Sequence, residues 1–357
     1  MKSSIMWHYI EQEPEVLSKL LGSSQTDDFA AKKGQELRAI YFVAHGSSFN
    51  AAVSTLSYFA KKANIRAYAY TPGNFCSGCS SVAQEDPAST LVVVISQTGT
   101  SSGAVKALEY ASSLGLKTLS ITAVSGSPVA LKADDTLNLL CGEENSNAKT
   151  KGYSATLTLL LLLALSIGFK NGTLDLAKKQ AGIDEIHGMN QSIPEVLGKA
   201  YDFCKKSKFG ENMLDLYVLG SGMNFGTAQE GQLKLMETMC IPTMFNDIGE
   251  FSHGMHRSIS AKSSVLLIKS DDDMKDLIEQ SYQYLKGLTH NVWIIDSTGE
   301  GAGESNRLNI PSFVDSQSVL LATLVIQIMS VYAPELNGQD PNRNAHDDFT
   351  IVAGTRL

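Results

Sequence analysis

In VVVISQTGTSSGAVK, residues 92–106, an unbroken apolar run ends in a loop of small hydroxyl residues and passes into a helix-forming stretch. Backbone N–H groups at the start of such a helix, with the hydroxyls of Ser96, Thr98 and Ser101, can surround the oxygens of a phosphate, and the helix dipole favours its charge. AHGSSFN, residues 44–50, offers a second set: Ser47 and Ser48 follow another strand-like run, and Gly46 lets the backbone come close to a ligand. Serine and threonine also cap helices with no ligand present, so either loop alone reads as a cap just as readily. Two such loops at the carboxyl ends of strands in one half of the chain point instead to a bound anion. There is no Walker lysine pattern and no GxGxxG, which disfavours a nucleotide as the owner of that phosphate.

The chain as a whole gives that anion no help. Its 357 residues carry a net charge of -8, so neither nucleic acid nor an anionic membrane surface is drawn to it, and an anionic substrate must be held by local geometry. The N-terminal MKSSIMWHYIEQEPEVL is amphipathic and acidic where a secretory signal would be basic and then apolar, so a cytoplasmic location is expected. The most apolar run, Leu157 to Leu165, is shorter than the roughly 20 residues of a membrane span and reads as a buried helix. Five cysteines, an odd number, do not form a disulfide framework. Cys76 and Cys79 make a lone CxxC; zinc would need a second pair or nearby histidines, so no metal and no cofactor is expected.

The elements that must position these loops alternate along the first half. RAIYFVAHG, RAYAYT, TLVVVISQ, KTLSITA and TLNLL read as strands, with helices over about 48–62 and 102–113 between them, which predicts a parallel sheet covered on both faces. The pattern then recurs: YFVAHGSSFNAA near 41 returns as LYVLGSGMNFGTA near 216, and the segment from Thr90 returns from Ser264. The expected fold class is therefore α/β, two tandem doubly wound, flavodoxin-like domains. Five regions are expected: a helical arm over 1–35, a first domain over 36–170, a helical connector over 171–208, a second domain over 209–335 and a tail over 336–357. The copies differ at the cradle. Ser96 to Thr100 align with Lys269, Ser270, Asp271, Asp272 and Asp273, and three aspartates repel a phosphate; Ser48 aligns with Gly222. Only the first copy is expected to bind the anion.

These motifs, with MWHYIEQEPEVL, NAKTKGYSAT, EGQLKLMETM and EFSHG, resemble the sugar isomerase (SIS) double-domain family across nearly the whole chain. That family includes the isomerase half of glucosamine-6-phosphate synthase and the deglycases of phosphorylated Amadori compounds. The resemblance implies that Ser47, Ser48, Ser96, Gln97, Thr98 and Ser101 bind phosphate and that Ala148 and Lys149 lie against sugar hydroxyls. It implies that Glu237 is the general base and His253 the ring-opening acid, delivered from a partner subunit, and hence a homodimer with shared active sites. A carboxylate suits proton transfer between C1 and C2 once burial raises its pKa, and Leu233, Met236 and Cys240 beside Glu237 are able to desolvate it. Histidine suits ring opening because its ordinary pKa lies near working pH.

Two departures narrow the chemistry. The synthase has an N-terminal glutaminase domain and a tail lysine that forms a Schiff base; no such domain is expected here, Asp347 stands in the lysine's place, and no lysine follows Lys286. Arg343, His346 and Asp347 belong to a tail cluster resembling those of deglycases, whose substrates already carry the amine and need no lysine. The expected activity is release of an amine from a 6-phosphorylated sugar amine, of the fructoselysine or glucoselysine 6-phosphate type, by C1/C2 proton transfer. A simple aldose-ketose isomerase, an aminotransferase-like isomerase without a glutaminase and a non-catalytic sugar-phosphate sensor are the alternatives. His256 and Arg257, where many relatives read proline and apolar residues, either contact a substrate anion or form a basic surface turn.

Overall fold

The computed structural model describes residues 4–301 and 303–355. The chain divides into two compact units, each discontinuous in sequence. One comprises Glu15–Glu144, Lys151–Ile186 and the tail from Asn344; the other comprises the chain up to Pro14, Asn145–Thr150 and His187–Arg343. The short segment bearing Ala148 and Lys149 thus belongs with the second unit although it lies within the first copy of the repeat.

The N-terminal arm forms α1 (Ile5–Glu11), α2 (Glu13–Leu21) and α3 (Gln25–Lys33). The first unit then alternates β1 (Ala39–Ala44), α4 (Gly46–Ala63), β2 (Arg66–Tyr70), α5 (Pro72–Gly78), β3 (Thr90–Ile95), α6 (Ser102–Ser113), β4 (Lys117–Thr122), α7 (Pro128–Lys132) and β5 (Asp135–Asn138). All pairings are parallel, in the order β2-β1-β3-β4-β5. AIYFVA and TLVVVI are buried along their whole length, as continuous apolar strands are when helices cover both faces. Leu157 to Leu165 forms the middle of α8 (Lys151–Lys170), which packs on α3 and α4. α9 (Leu176–Ser207) is one 32-residue helix; its part up to Ile186 belongs to the first unit and the rest to the second.

The second unit contains β6 (Leu216–Gly220), α10 (Asn224–Met239), β7 (Thr243–Asp247), α11 (Ile248–Phe251), β8 (Ser264–Lys269), α12 (Lys275–Leu285), β9 (Asn291–Asp296), β10 (Arg307–Asn309) and α13 (Val319–Leu336). Its sheet runs β10-β9-β8-β6-β7, the first sheet's winding in the same sense. α13 packs on α10 and α1, and Glu335 accepts from the Ser4 backbone N–H and the Trp7 indole at 3.0 and 3.1 Å. The tail carries a last short helix, α14 (Phe349–Val352). α8 and α13 are long and apolar enough to cross a membrane, yet 94% and 89% of their apolar windows are buried inside the protein.

Strand pairing fixes how the copies correspond. Tyr41 faces Val92 in the first sheet as Tyr217 faces Val265 in the second, so Ser96 corresponds to Lys269, as the sequence alignment has it. The first loop needs a correction. Gly222 corresponds to Gly46, not Ser48: both follow the first strand of their sheet and both have φ of 55°, which glycine adopts without strain. Met223 and Asn224 therefore stand where the first copy has Ser47 and Ser48.

Candidate functional site

β1 and β3 lie side by side, with Ala44 opposite Ile95, and the connections leaving them turn to opposite sides of the sheet. This is the switch point at which open α/β sheets form a crevice for ligands, and it brings AHGSS and SQTGTSS to one edge. Ser47 and Ser48 sit half-buried in the first turn of α4. Ser96 is buried directly after β3, its N–H donating to the Ile121 carbonyl at 3.0 Å. The hydroxyls of Ser48 and Ser96 take no hydrogen-bond partner among the described residues. Thr98 is exposed with its hydroxyl 3.1 Å from that of Thr100. Ser101 is the N-cap of α6, accepting from the Ala104 N–H at 3.4 Å, which leaves its hydroxyl proton to donate.

Gln97 is arranged differently. Its side-chain amide turns to Glu144, donating to Oε2 at 3.0 Å, while its carbonyl accepts from the Ala123 N–H at 2.9 Å and the Thr122 hydroxyl at 3.2 Å. What remains for a phosphate is its backbone N–H. His45, which the sequence reasoning passed over, occupies the N-cap of α4, and its ring lies against α6: a Cβ on Gly103 would come 3.0 Å from Cε1. Partial burial pushes its imidazole pKa down and favours the neutral form.

The tail reaches the same helix start. Ser102 donates from its N–H to the Thr355 carbonyl at 3.3 Å and from its hydroxyl to the Gly354 carbonyl at 3.2 Å. His346 and Asp347 are exposed, His346 with φ of 64°. Arg343 belongs to the second unit, where its guanidinium donates to the Thr238 carbonyl at 2.8 Å, beside Glu237.

In the second unit the corresponding donors are already taken. Asp272 accepts from the Ser221 and Ser270 hydroxyls at 2.9 and 3.1 Å and from the Met274 N–H at 2.9 Å. The side-chain amide oxygen of Gln317, Oε1, accepts from the Met223 N–H at 2.7 Å, at the position of Ser47, and lies 2.5 Å from where a Gly222 Cβ would be. Lys269, in the place of Ser96, is buried and paired with Glu279 and Glu300 at 2.9 Å each. The aspartates therefore do more than repel an anion: an internal carboxylate takes up hydroxyls at its place.

Glu237 lies in the last turn of α10 with a side chain 35% exposed. The surroundings expected to desolvate it do not do so within the chain, because Leu233 is half-buried and Met236 and Cys240 are exposed. Its neighbour is instead Lys234, 1% exposed, whose ammonium lies 3.0 Å from Glu230 and 3.3 Å from Glu237. Burial alone would push this ammonium's pKa down; the two carboxylates outweigh it and hold the pKa above the ordinary lysine value. The Glu230, Lys234, Glu237 spacing on one helix face is the signal that would have found it.

His253 lies in the exposed turn after α11, and its ring makes no hydrogen bond among the described residues. His256 packs against Phe251, its Nδ1 3.3 Å from that residue's carbonyl, and Arg257 is exposed. α10 starts at the carboxyl edge of its sheet, and Glu237 comes thirteen residues later, about 20 Å along the axis at 1.5 Å per residue. β7 then runs back parallel to β6, pairing Gly220 with Asp247, and returns the chain to the carboxyl edge before His253. Glu237 and His253 of one chain thus stand at opposite ends of the second unit.

Ala148 is buried, the Lys149 ammonium donates to the Ser146 carbonyl at 2.7 Å, and the Gln327 amide donates to the Thr150 carbonyl at 3.1 Å. Cys76 is half-buried and Cys79 buried, both as free thiols.

Two flavodoxin-like units wound in one order, the first with Ser48 and Ser96 at its switch point and the second closed there by Asp272 and Gln317, define a tandem α/β class. The chain belongs to the SIS domain family, which matches residues 35–166 and 214–333. Among named relatives, the isomerizing glutamine--fructose-6-phosphate aminotransferase of Fusobacterium nucleatum is 26% identical over 307 residues, covering 82% of this chain and 49% of that protein. That of Pseudomonas syringae pv. tomato is 28% identical over 328 residues, covering 90% and 53%. The chain spans about half the length of these relatives. Its fold is shared with the C-terminal domain of glucosamine-fructose-6-phosphate aminotransferase from Francisella tularensis, at a TM-score of 0.87 and 19% identity, covering 96% of this chain and 98% of that one. It is also shared with tagatose-6-phosphate ketose/aldose isomerase from Escherichia coli, at 0.77 and 18%, covering 96% of each chain.

Proposed function

We propose that this protein is an enzyme acting on a 6-phosphorylated sugar amine, releasing the amine by proton transfer between C1 and C2. The observation that carries the reading is the contrast between the two switch points: the first presents Ser48 and Ser96 hydroxyls with no partner among the described residues, whereas the second closes on Asp272 and Gln317. The phosphate is held by Ser47, Ser48, Ser96, Thr98 and Ser101 with the backbone N–H groups of the loop, Gln97's among them. Ala148 and Lys149 serve the sugar hydroxyls. Glu237 carries the proton between C1 and C2, and Lys234, 3.3 Å away, orients the carboxylate. For a substrate with the amine on C1, moving the C1 proton to C2 leaves a C1 imine. Water adds to that imine, and the amine departs with the hexose 6-phosphate as the other product.

Opening the sugar ring falls to His253 from a second copy of the chain. The opposite placement of Glu237 and His253 within one chain supports this, since a single subunit's own pair cannot meet at adjacent carbons. The site is then complete only in a homodimer, each subunit lending its histidine. Five free thiols fit the reducing cytosol.

The test is turnover of phosphorylated Amadori compounds and aminosugar phosphates, followed by hexose 6-phosphate and free amine in equal amounts. Isomerisation without amine release reassigns the chain to a plain aldose-ketose isomerase. Tight binding of several sugar phosphates with no turnover makes it a sensor.

A further inference from the structure

Glu144 is 6% exposed, in the first unit, and one of its carboxylate oxygens accepts two hydrogen bonds at 3.0 Å: from the side-chain amide of Gln97 and from the backbone N–H of Gly152. Gly152 is the second residue of α8, a helix with no acidic residue in its own first turn, so Glu144 places a negative charge at the positive end of the helix dipole. Gln97 lies across that helix start at a distance only glycine permits, since a Cβ at 152 would fall 2.2 Å from the amide atoms. The Gln97 carbonyl is fixed from the other side by Ala123 and Thr122. Side chain and carbonyl together leave the Gln97 peptide one orientation, and that peptide joins Ser96 to Thr98 in the anion loop. Glu144 also immediately precedes Asn145–Thr150, the segment bearing Ala148 and Lys149.

We propose that Glu144 is the positioning residue of the phosphate loop, acting through Gln97: it holds the loop's backbone donors in the geometry that receives a sugar phosphate. The inference rests on the phosphate reading of that loop. It asks of residue 144 a single acceptor oxygen aimed at two donors, which glutamine also supplies and alanine does not.

The experiment compares Glu144→Ala, Glu144→Gln and Gln97→Ala with the wild-type chain in two measurements. Calorimetric titration with glucose 6-phosphate and fructose 6-phosphate should show affinity lower by about tenfold or more in Glu144→Ala and Gln97→Ala, and within about threefold of wild type in Glu144→Gln. Amide hydrogen exchange without ligand should accelerate over residues 97–101 in the two alanine variants while β1 and β3 stay protected. Where a substrate is turned over, KM rises and kcat at saturation stays within about threefold, because the loop binds and does not react. Wild-type affinity with wild-type exchange in Glu144→Ala overturns the proposal. Exchange that accelerates over 97–101 in the alanine variants, with the wild-type chain binding neither sugar phosphate, would uphold the tether and sink the phosphate reading instead. If Glu144→Ala does not fold, Gln97→Ala decides by the same two measurements.

Discussion

The Lys234 ammonium lies 3.3 Å from the Glu237 carboxylate, joining a buried charge to one that is 35% exposed. Two opposite expectations attach to this contact. Lys234→Met strips the buried Glu230 of its charge partner and should cost about 3–5 kcal/mol in urea unfolding, the cost of leaving a buried charge uncompensated. Glu237→Gln leaves Lys234 paired with Glu230 and should unfold within about 1 kcal/mol of wild type, as expected for a half-exposed ion pair. Equal losses from the two substitutions would show that Glu230 finds another counter-charge.

On activity the order reverses. Glu237→Gln removes the proposed base and should lower turnover by about two to four orders of magnitude while substrate affinity changes little. Loss of deuterium exchange at C1 or C2 should accompany it. Exchange that persists in the variant assigns proton transfer to another residue.

Ser48→Ala with Ser96→Ala removes the two hydrogen bonds proposed to the phosphate, each worth about 1.5–3 kcal/mol, from opposite sides of the first switch point. Sugar-phosphate affinity should collapse with the thermal transition hardly moved, since neither hydroxyl bonds to any described residue. Unchanged calorimetric affinity would move the phosphate elsewhere.

Mixing Glu237→Gln with His253→Asn chains under conditions of subunit exchange tests the shared site. Half of the dimers are mixed under random exchange and one site in each is intact, so about a quarter of the wild-type activity should return. Demonstrated exchange with activity at background means the histidine serves its own subunit.

Acid should act on the second unit through Glu279. Burial raises this carboxyl's pKa, but hydrogen bonds from Arg307, Gln283 and Lys269 outweigh it and bring the value down to about 2. A folded pKa below the unfolded one, near 4.5, gives stability that is complete above that pH and is lost as pH falls from there toward 2. Unfolding midpoints measured between pH 5 and 2.5 should fall more steeply for wild type than for Glu279→Gln. Parallel slopes would place the acid sensitivity in other carboxylates.

The two strand–loop–helix junctions of the first switch point were legible in the sequence because strand, small-residue loop and helix start are local and contiguous, and so was the winding of both sheets, through apolar strands separated by helical spacing. The internal repeat also exposed the acidic replacement at the second switch point. Its details were not legible: the Gly46 and Gly222 equivalence shows in φ and strand register rather than in residue type, and the plug made by Gln317 comes from 94 residues away in the chain. Gln97 read as a phosphate ligand by position, yet its amide is held by a glutamate 47 residues on. The environment of Glu237 was misjudged from its sequence neighbours because burial on a helix depends on which face meets the rest of the unit, and that face holds Lys234 and Glu230 while Met236 looks outward. Residue type and short spacing determined which chemistry the chain can attempt. Which donors are free, which are satisfied internally and which pair cannot meet in one subunit were decided by contacts distant in sequence, which only the closed fold brings within hydrogen-bond reach.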